Sequence, residues 1–114
     1  MKKFIIVKLK LEGVHAWKTC NIEEVMYLKD THRHTFGFTC CLEVSHNDRD
    51  VEFIEFQHQI RNYLRLKYYD DVKFNLYDFT GKSCEMLAEE LAREFNLAWC
   101  EVDEDGEFFG RVES

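Results

Sequence analysis

His32-Arg33-His34-Thr35-Phe36-Gly37-Phe38-Thr39-Cys40-Cys41-Leu42-Glu43-Val44 decides the architecture of this chain. From Arg33 to Val44 the apolar side chains Phe36, Phe38, Cys40, Leu42 and Val44 fall on alternate positions, the period of a strand with one buried face. His34 shares that parity, and so does His32, while Arg33 points to the other face. Two imidazoles on one side of a strand can address one ion, and a third histidine, His15, lies 17 residues upstream of His32. Three such ligands leave one coordination position open for water or substrate, the arrangement of a catalytic metal site. Spacing alone leaves solvated or packed imidazoles as the alternative.

Outward from this strand the pattern is alternately clear and irregular. Phe4 to Leu11 alternates, with Ile5, Val7, Leu9 and Leu11 on one face and Lys8 and Lys10 on the other. Residues 13 to 31 carry Gly13, Asn21 and Asp30 without a clean period and read as an irregular excursion with a helical turn around Glu23 to Leu28. Asn47-Asp48-Arg49-Asp50 can cap a helix striped by Phe53, Phe56, Ile60, Tyr63 and Leu64. Ser83 is the expected cap of a second helix, which buries Cys84, Leu87, Ala88, Leu91 and Phe95. Leu97 to Val102 and Glu107 to Val112 read as closing strands joined by Asp103-Glu104-Asp105-Gly106.

This gives an α+β domain in the order ββααββ, with an antiparallel four-stranded sheet and two helices on one face. One small subunit can hardly seal the edges of such a sheet. A homo-oligomer, trimeric or hexameric, is therefore expected, with sheets joined into a barrel and binding sites at the subunit borders.

The chain has 114 residues, no proline and no repeat, and 46% of it is hydrophobic, so residues 1–114 read as one globular domain. A formal charge of -7 argues against general affinity for nucleic acid or an anionic membrane, both of which need cationic surface. Lys8 and Lys10 interrupt the first apolar stretch too soon for a signal peptide, and a cytoplasmic location is expected. The five cysteines, Cys20, Cys40, Cys41, Cys84 and Cys100, contain no Cys-x-x-Cys and suit reduced thiols.

Several segments in sequence order resemble the family of 6-pyruvoyltetrahydropterin synthase and 6-carboxytetrahydropterin synthase. Val14-His15 and His32-Arg33-His34 look like that family's Ala-Ala-His and His-Gly-His. Ile54-Glu55-Phe56 resembles its Val-Asp-Phe helix start, and Lys82-Ser83-Cys84-Glu85-Met86-Leu87-Ala88 its Pro-Thr-x-Glu-Asn-Leu-Ala. Glu101-Val102, followed by Phe108-Phe109-Gly110-Arg111, is similar to its late Glu-Thr and Tyr-Arg-Gly.

The resemblance implies the tunnelling fold (T-fold), with zinc held by His15, His32 and His34 and acting as a Lewis acid on the side chain of a pterin such as dihydroneopterin triphosphate. It also implies that Glu101 accepts paired N–H donors from the amino-pyrimidine edge of a pterin or purine, with Ser83 and Glu85 as further ligand contacts.

The departures fall on the proton-transfer groups. The family's cysteine lies a few residues before His-x-His, where this chain has Met26 to Thr31, and Cys20 is the nearest thiol. The family's Asp-His pair best matches Asp70-Asp71, where a carboxylate replaces the imidazole. Asp70, Asp71 and Cys20 are thus the catalytic candidates. Two functions follow as expectations: a zinc-dependent lyase or synthase acting on a pterin, or an inactive relative that binds a pterin, purine or nucleotide-like ligand. His46 is expected in a solvated turn, and His58 partly exposed on the first helix.

Overall fold

Strands β1 (Lys3–His15) and β2 (His32–Val44) form the spine of the molecule, paired antiparallel from Lys3↔Val44 to His15↔His32 in a computed structural model that describes residues 1–114. Val7, Leu9 and Leu11 lie opposite Cys40, Phe38 and Phe36, and all six are buried on one face. Because β1 continues past Leu11, the same parity delivers Gly13 and His15 to the face that carries His34 and His32. Between the two strands the chain makes a 3-10 turn over Glu23–Lys29, tied to the end of β1 by Trp17 N–H donating to Leu28 O at 2.7 Å.

Helices α1 (Phe53–Tyr68) and α2 (Cys84–Phe95) cover the buried face. Helix α1 is capped by Glu52, whose carboxylate accepts Glu55 N–H at 2.7 Å. Residues 47–50 do not cap it, because Asp50 is occupied by the backbone and hydroxyl of Ser45. The helix buries Phe56, Ile60, Leu64 and Tyr68 while Phe53 stays exposed. The expected cap of α2 forms, Ser83 Oγ accepting Met86 N–H at 3.2 Å, and Cys84, Leu87, Ala88 and Leu91 are buried. Each large side chain so buried contributes about 1.5–3 kcal/mol.

The four-stranded antiparallel T-fold sheet and the order ββααββ expected from sequence are corrected by the topology. A hairpin of β3 (Tyr69–Asp70) and β4 (Leu76–Asp78) lies between the helices, and β4 runs parallel to β1 through Gly13↔Tyr77 and Val14↔Asp78. With β5 (Trp99–Glu104) and β6 (Phe108–Glu113) this makes one six-stranded mixed sheet in the order β3-β4-β1-β2-β5-β6. Strands of two and three residues carry no readable period, and tertiary contact fixes them. The Phe79 ring, fully buried after β4, lies over Gly13, where a Cβ would come within 2.6 Å of it.

The closing hairpin is also shifted. Its turn is Asp105-Gly106, with φ of 58° and 71°, closed by Glu107 N–H donating to Glu104 O at 3.1 Å. Two consecutive left-handed residues make the tight turn that suits the twist of paired strands. Strand β5 therefore runs on to Glu104, with Cys100, Val102 and Glu104 facing the helices and Glu101 and Asp103 facing away. On that outer face Phe4 and Ile6 are about half exposed. No helix is long and apolar enough to cross a membrane.

Candidate metal centre

Three imidazoles meet at the end of the sheet where β1 stops and β2 begins. One ring nitrogen from each of His15, His32 and His34 lies within 4.8 Å of the others. The ring centroids are 4.6 Å apart for His15 and His32, 5.3 Å for His15 and His34, and 5.0 Å for His32 and His34. Phe36 floors the cluster edge-on, 5.0 Å from His15 and 5.6 Å from His34, and packs edge to face against Phe79 in turn, at 4.8 Å.

Every Nδ1 in the cluster is committed elsewhere. His15 Nδ1 donates to Lys82 O at 2.9 Å, His32 Nδ1 to Asp30 O at 2.7 Å, and His34 Nδ1 to Asp105 Oδ2 at 2.8 Å. A carbonyl or carboxylate oxygen can only accept, so each Nδ1 carries a proton and each neutral ring presents its Nε2 lone pair to the centre. Histidine ligands to metals are oriented in this way, by an acceptor on the far nitrogen. Nε2 of His15 and of His34 are buried without a hydrogen bond. Three convergent imidazoles, two of them with buried Nε2 atoms that no hydrogen bond serves, fit zinc by donor type.

A fourth polar group completes the cluster. Glu104, at the end of β5, places Oε2 3.1 Å from His15 Nε2 and Oε1 3.7 Å from His34 Nε2. Burial alone would push His15 down, but the Glu104 carboxylate and the Lys82 carbonyl outweigh it and hold the imidazole above its ordinary value. The same contact with His15 keeps Glu104 below the usual carboxylate range, against the effect of burial.

The cluster opens into a cavity of about 380 Å³, within the range of small-molecule sites. Its wall includes His15, His32, Glu104, the start of α2 from Ser83 to Met86, and the rings of Trp17 and Phe108. Gly110 lets α2 approach β6 closely: a Cβ there would lie 2.9 Å from Glu85 N and Cγ.

The residues singled out from sequence are thus partly gathered and partly dispersed. His15, His32 and His34 come together, and Ser83 and Glu85 stand on the cavity wall. Glu101 lies on the opposite sheet face, bonded to Arg111 Nη1 at 2.9 Å, and does not reach the cavity. Asp70 Oδ1 accepts Val72 N–H and Lys73 N–H at 2.9 and 3.0 Å and serves its own turn, and Asp71 is exposed beside it. The Cys20 thiol is buried against the carbonyls of Ile22 and Val25. None of these three lines the cavity.

Lys82, Cys84 and Glu104 are the site residues that the sequence reading missed. The signal for Glu104 was its parity with the apolar Cys100 and Val102. Cys84 lines the cavity, its thiol pushed up to about 12 by burial and by the carboxylates of Glu104, Glu85 and Asp103. Lys82 reaches away from the cavity, its ammonium bonding Tyr68 Oη at 2.7 Å and Glu90 Oε1 at 2.6 Å.

No protein-family model and no curated protein matches the sequence. The fold is similar to that of a crystal structure titled "uncharacterized protein WS1659 from Wolinella succinogenes", with a TM-score of 0.73 and 9% identity over 100% of this chain and 99% of that one. At that identity the likeness concerns the fold alone.

Proposed function

We propose that this chain holds zinc on His15, His32 and His34 and acts as a lyase or synthase on a pterin, resembling 6-pyruvoyltetrahydropterin synthase and 6-carboxytetrahydropterin synthase in its motifs. The observation that carries the reading is the convergence of three imidazoles with every Nδ1 committed to an acceptor, at the base of a cavity flanked by Trp17 and Phe108. Zinc, when bound, supplies a Lewis acid beside the hydroxyl oxygens of the substrate side chain. Trp17 and Phe108 offer apolar faces to a flat bicyclic ring. Glu85 offers paired acceptors to an amino-pyrimidine edge, and Ser83 a hydroxyl at the same wall. Lys82, through its carbonyl, fixes the His15 tautomer.

A second reading is favoured by the positions of Asp70, Asp71 and Cys20 outside the cavity. With no proton-transfer group from that set beside the substrate, the chain binds a pterin, purine or nucleotide-like ligand and releases it unchanged. Both readings take a homo-oligomer in the cytoplasm, supported by the half-exposed Phe4 and Ile6 on the uncovered sheet face and by five unpaired thiols. Light scattering at micromolar concentration tests the assembly, and a monomer there removes it.

Incubating the zinc-loaded protein with dihydroneopterin triphosphate separates the two readings. Conversion to a tetrahydropterin product supports the enzyme. Saturable binding with recovery of unchanged ligand supports the binder, and absence of binding to either dihydroneopterin triphosphate or neopterin sinks both.

A further inference from the structure

The distance between His15 Nε2 and Glu104 Oε2, 3.1 Å, poses a problem of hydrogen-bond chemistry. With one proton held on Nδ1 by the Lys82 carbonyl, His15 in its neutral form, the form that binds a metal, turns a lone pair towards Glu104. His34 does the same at 3.7 Å, its Nδ1 proton being held by Asp105. Lone pairs from two imidazoles and a carboxylate converge where each repels the others, in a place nine-tenths closed to water around His15. A cation between them converts that repulsion into attraction. One proton can serve one such pair, whereas a single divalent ion can serve every acceptor in the cluster at once.

We infer that Glu104 is a ligand of the same metal ion as His15, His32 and His34, so that the chain builds a centre of three nitrogens and one carboxylate. This rests on the zinc reading above and adds a donor to it. Glu104 is aimed by the hairpin: the turn centred on Asp105-Gly106 ends β5 with Glu104 on the helix-facing side, opposite Phe36, and Asp105 in that turn orients His34.

A carboxylate donor changes what the centre can do. It neutralises one of the two positive charges, so the ion is a milder Lewis acid than one held by three neutral imidazoles, better suited to gripping substrate oxygens than to ionising water. It is also a hard donor, which broadens the metals accepted from zinc towards cobalt, iron and manganese. Glu104 is then spent on the ion, and Glu85 is left as the wall carboxylate for an organic ligand.

The test uses metal-stripped full-length protein titrated with Zn²⁺ and Co²⁺ alone, comparing wild type with Glu104→Gln, Glu104→Asp and the double variant His32→Ala/His34→Ala. Ligation predicts at least a tenfold loss of Zn²⁺ affinity in both Glu104 variants, with shifted d–d bands in their Co²⁺ complexes. Glu104→Asp keeps the charge but withdraws the carboxylate by one methylene, so an effect of charge at a distance leaves it close to wild type. Affinity and spectrum unchanged in Glu104→Asp, or in Glu104→Gln, overturn the inference while leaving the three-histidine site intact. Wild type that takes up neither ion overturns both. If Glu104→Gln does not fold, Glu104→Asp decides alone.

Discussion

The carbonyl of Lys82 accepts the Nδ1 proton of His15 at 2.9 Å across 67 positions of sequence. The ammonium of the same lysine is clamped by Glu90 and Tyr68, so a polar cluster between α1 and α2 fixes the backbone that orients one imidazole of the three-histidine cluster. Glu90 also accepts from Tyr63 Oη at 2.6 Å and Lys67 Nζ at 2.7 Å.

Glu90→Gln removes the charge that two ammonium groups share. We expect a loss of about 2 kcal/mol in stability, read from urea unfolding. Zinc affinity should fall roughly tenfold, because the acceptor behind His15 loses its anchor. Weaker stability with unaltered zinc affinity would show that the cluster holds the helices only.

Acid should act through the same residue. Burial pushes the Glu90 carboxyl up, but Lys67, Lys82, Tyr63 and Tyr68 outweigh it and hold the group at about 2, against an ordinary 4.5. A depressed carboxyl stabilises the fold fully above its unfolded value and loses that contribution as pH falls towards the folded one. After allowance for the solvent screening of the exposed ammonium partners, stability of roughly 2 kcal/mol should therefore disappear between about pH 4.5 and pH 2. The Glu90→Gln variant should show a shallower decline over that window in thermal melts.

Gly110→Ala places a methyl group 2.9 Å from the Glu85 backbone nitrogen. Backbone cannot swing aside like a side-chain tip, so the start of α2 must move away from β6. We expect a cost of about 1–3 kcal/mol by calorimetry, together with weakened ligand binding, since Ser83 to Met86 form one cavity wall.

Elemental analysis of untagged protein should find about one zinc per chain, and none in His32→Ala/His34→Ala. Adding a strong chelator to wild type should lower its melting temperature, because an ion bound only by the folded state stabilises that state. A wild-type protein free of zinc whose melting temperature ignores both chelator and added Zn²⁺ would exclude the centre.

Long elements with a clean period were legible in the sequence, and those fixed by distant contacts were not. Phe36, Phe38 and Cys40 announce β2 and its buried side, and the parity of His32 and His34 follows from them. Leu76-Tyr77-Asp78 announces nothing, since β4 is fixed by its partners, β3 on one side and the edge of β1 at Gly13 and Val14 on the other. That Glu104 faces the histidines was not legible for one physical reason. Four acidic and glycine residues look like a four-residue turn, whereas the left-handed pair Asp105-Gly106 does the turning and returns Glu104 to the strand. Lys82 enters the site through its backbone, and no side-chain motif encodes a carbonyl.

The pairing of His15 with His32 at the last rung of β1 and β2 has a consequence for folding. Alternation along a strand means that sliding one strand past the other by a single residue turns its side chains to the wrong side. A slipped sheet would separate His15 from His32 and His34, leaving no common point for an ion. Metal bound at that rung would reward only the correct alignment of a thirteen-residue ladder, so the ion would act as a register pin, proofreading the longest strand pair in the molecule.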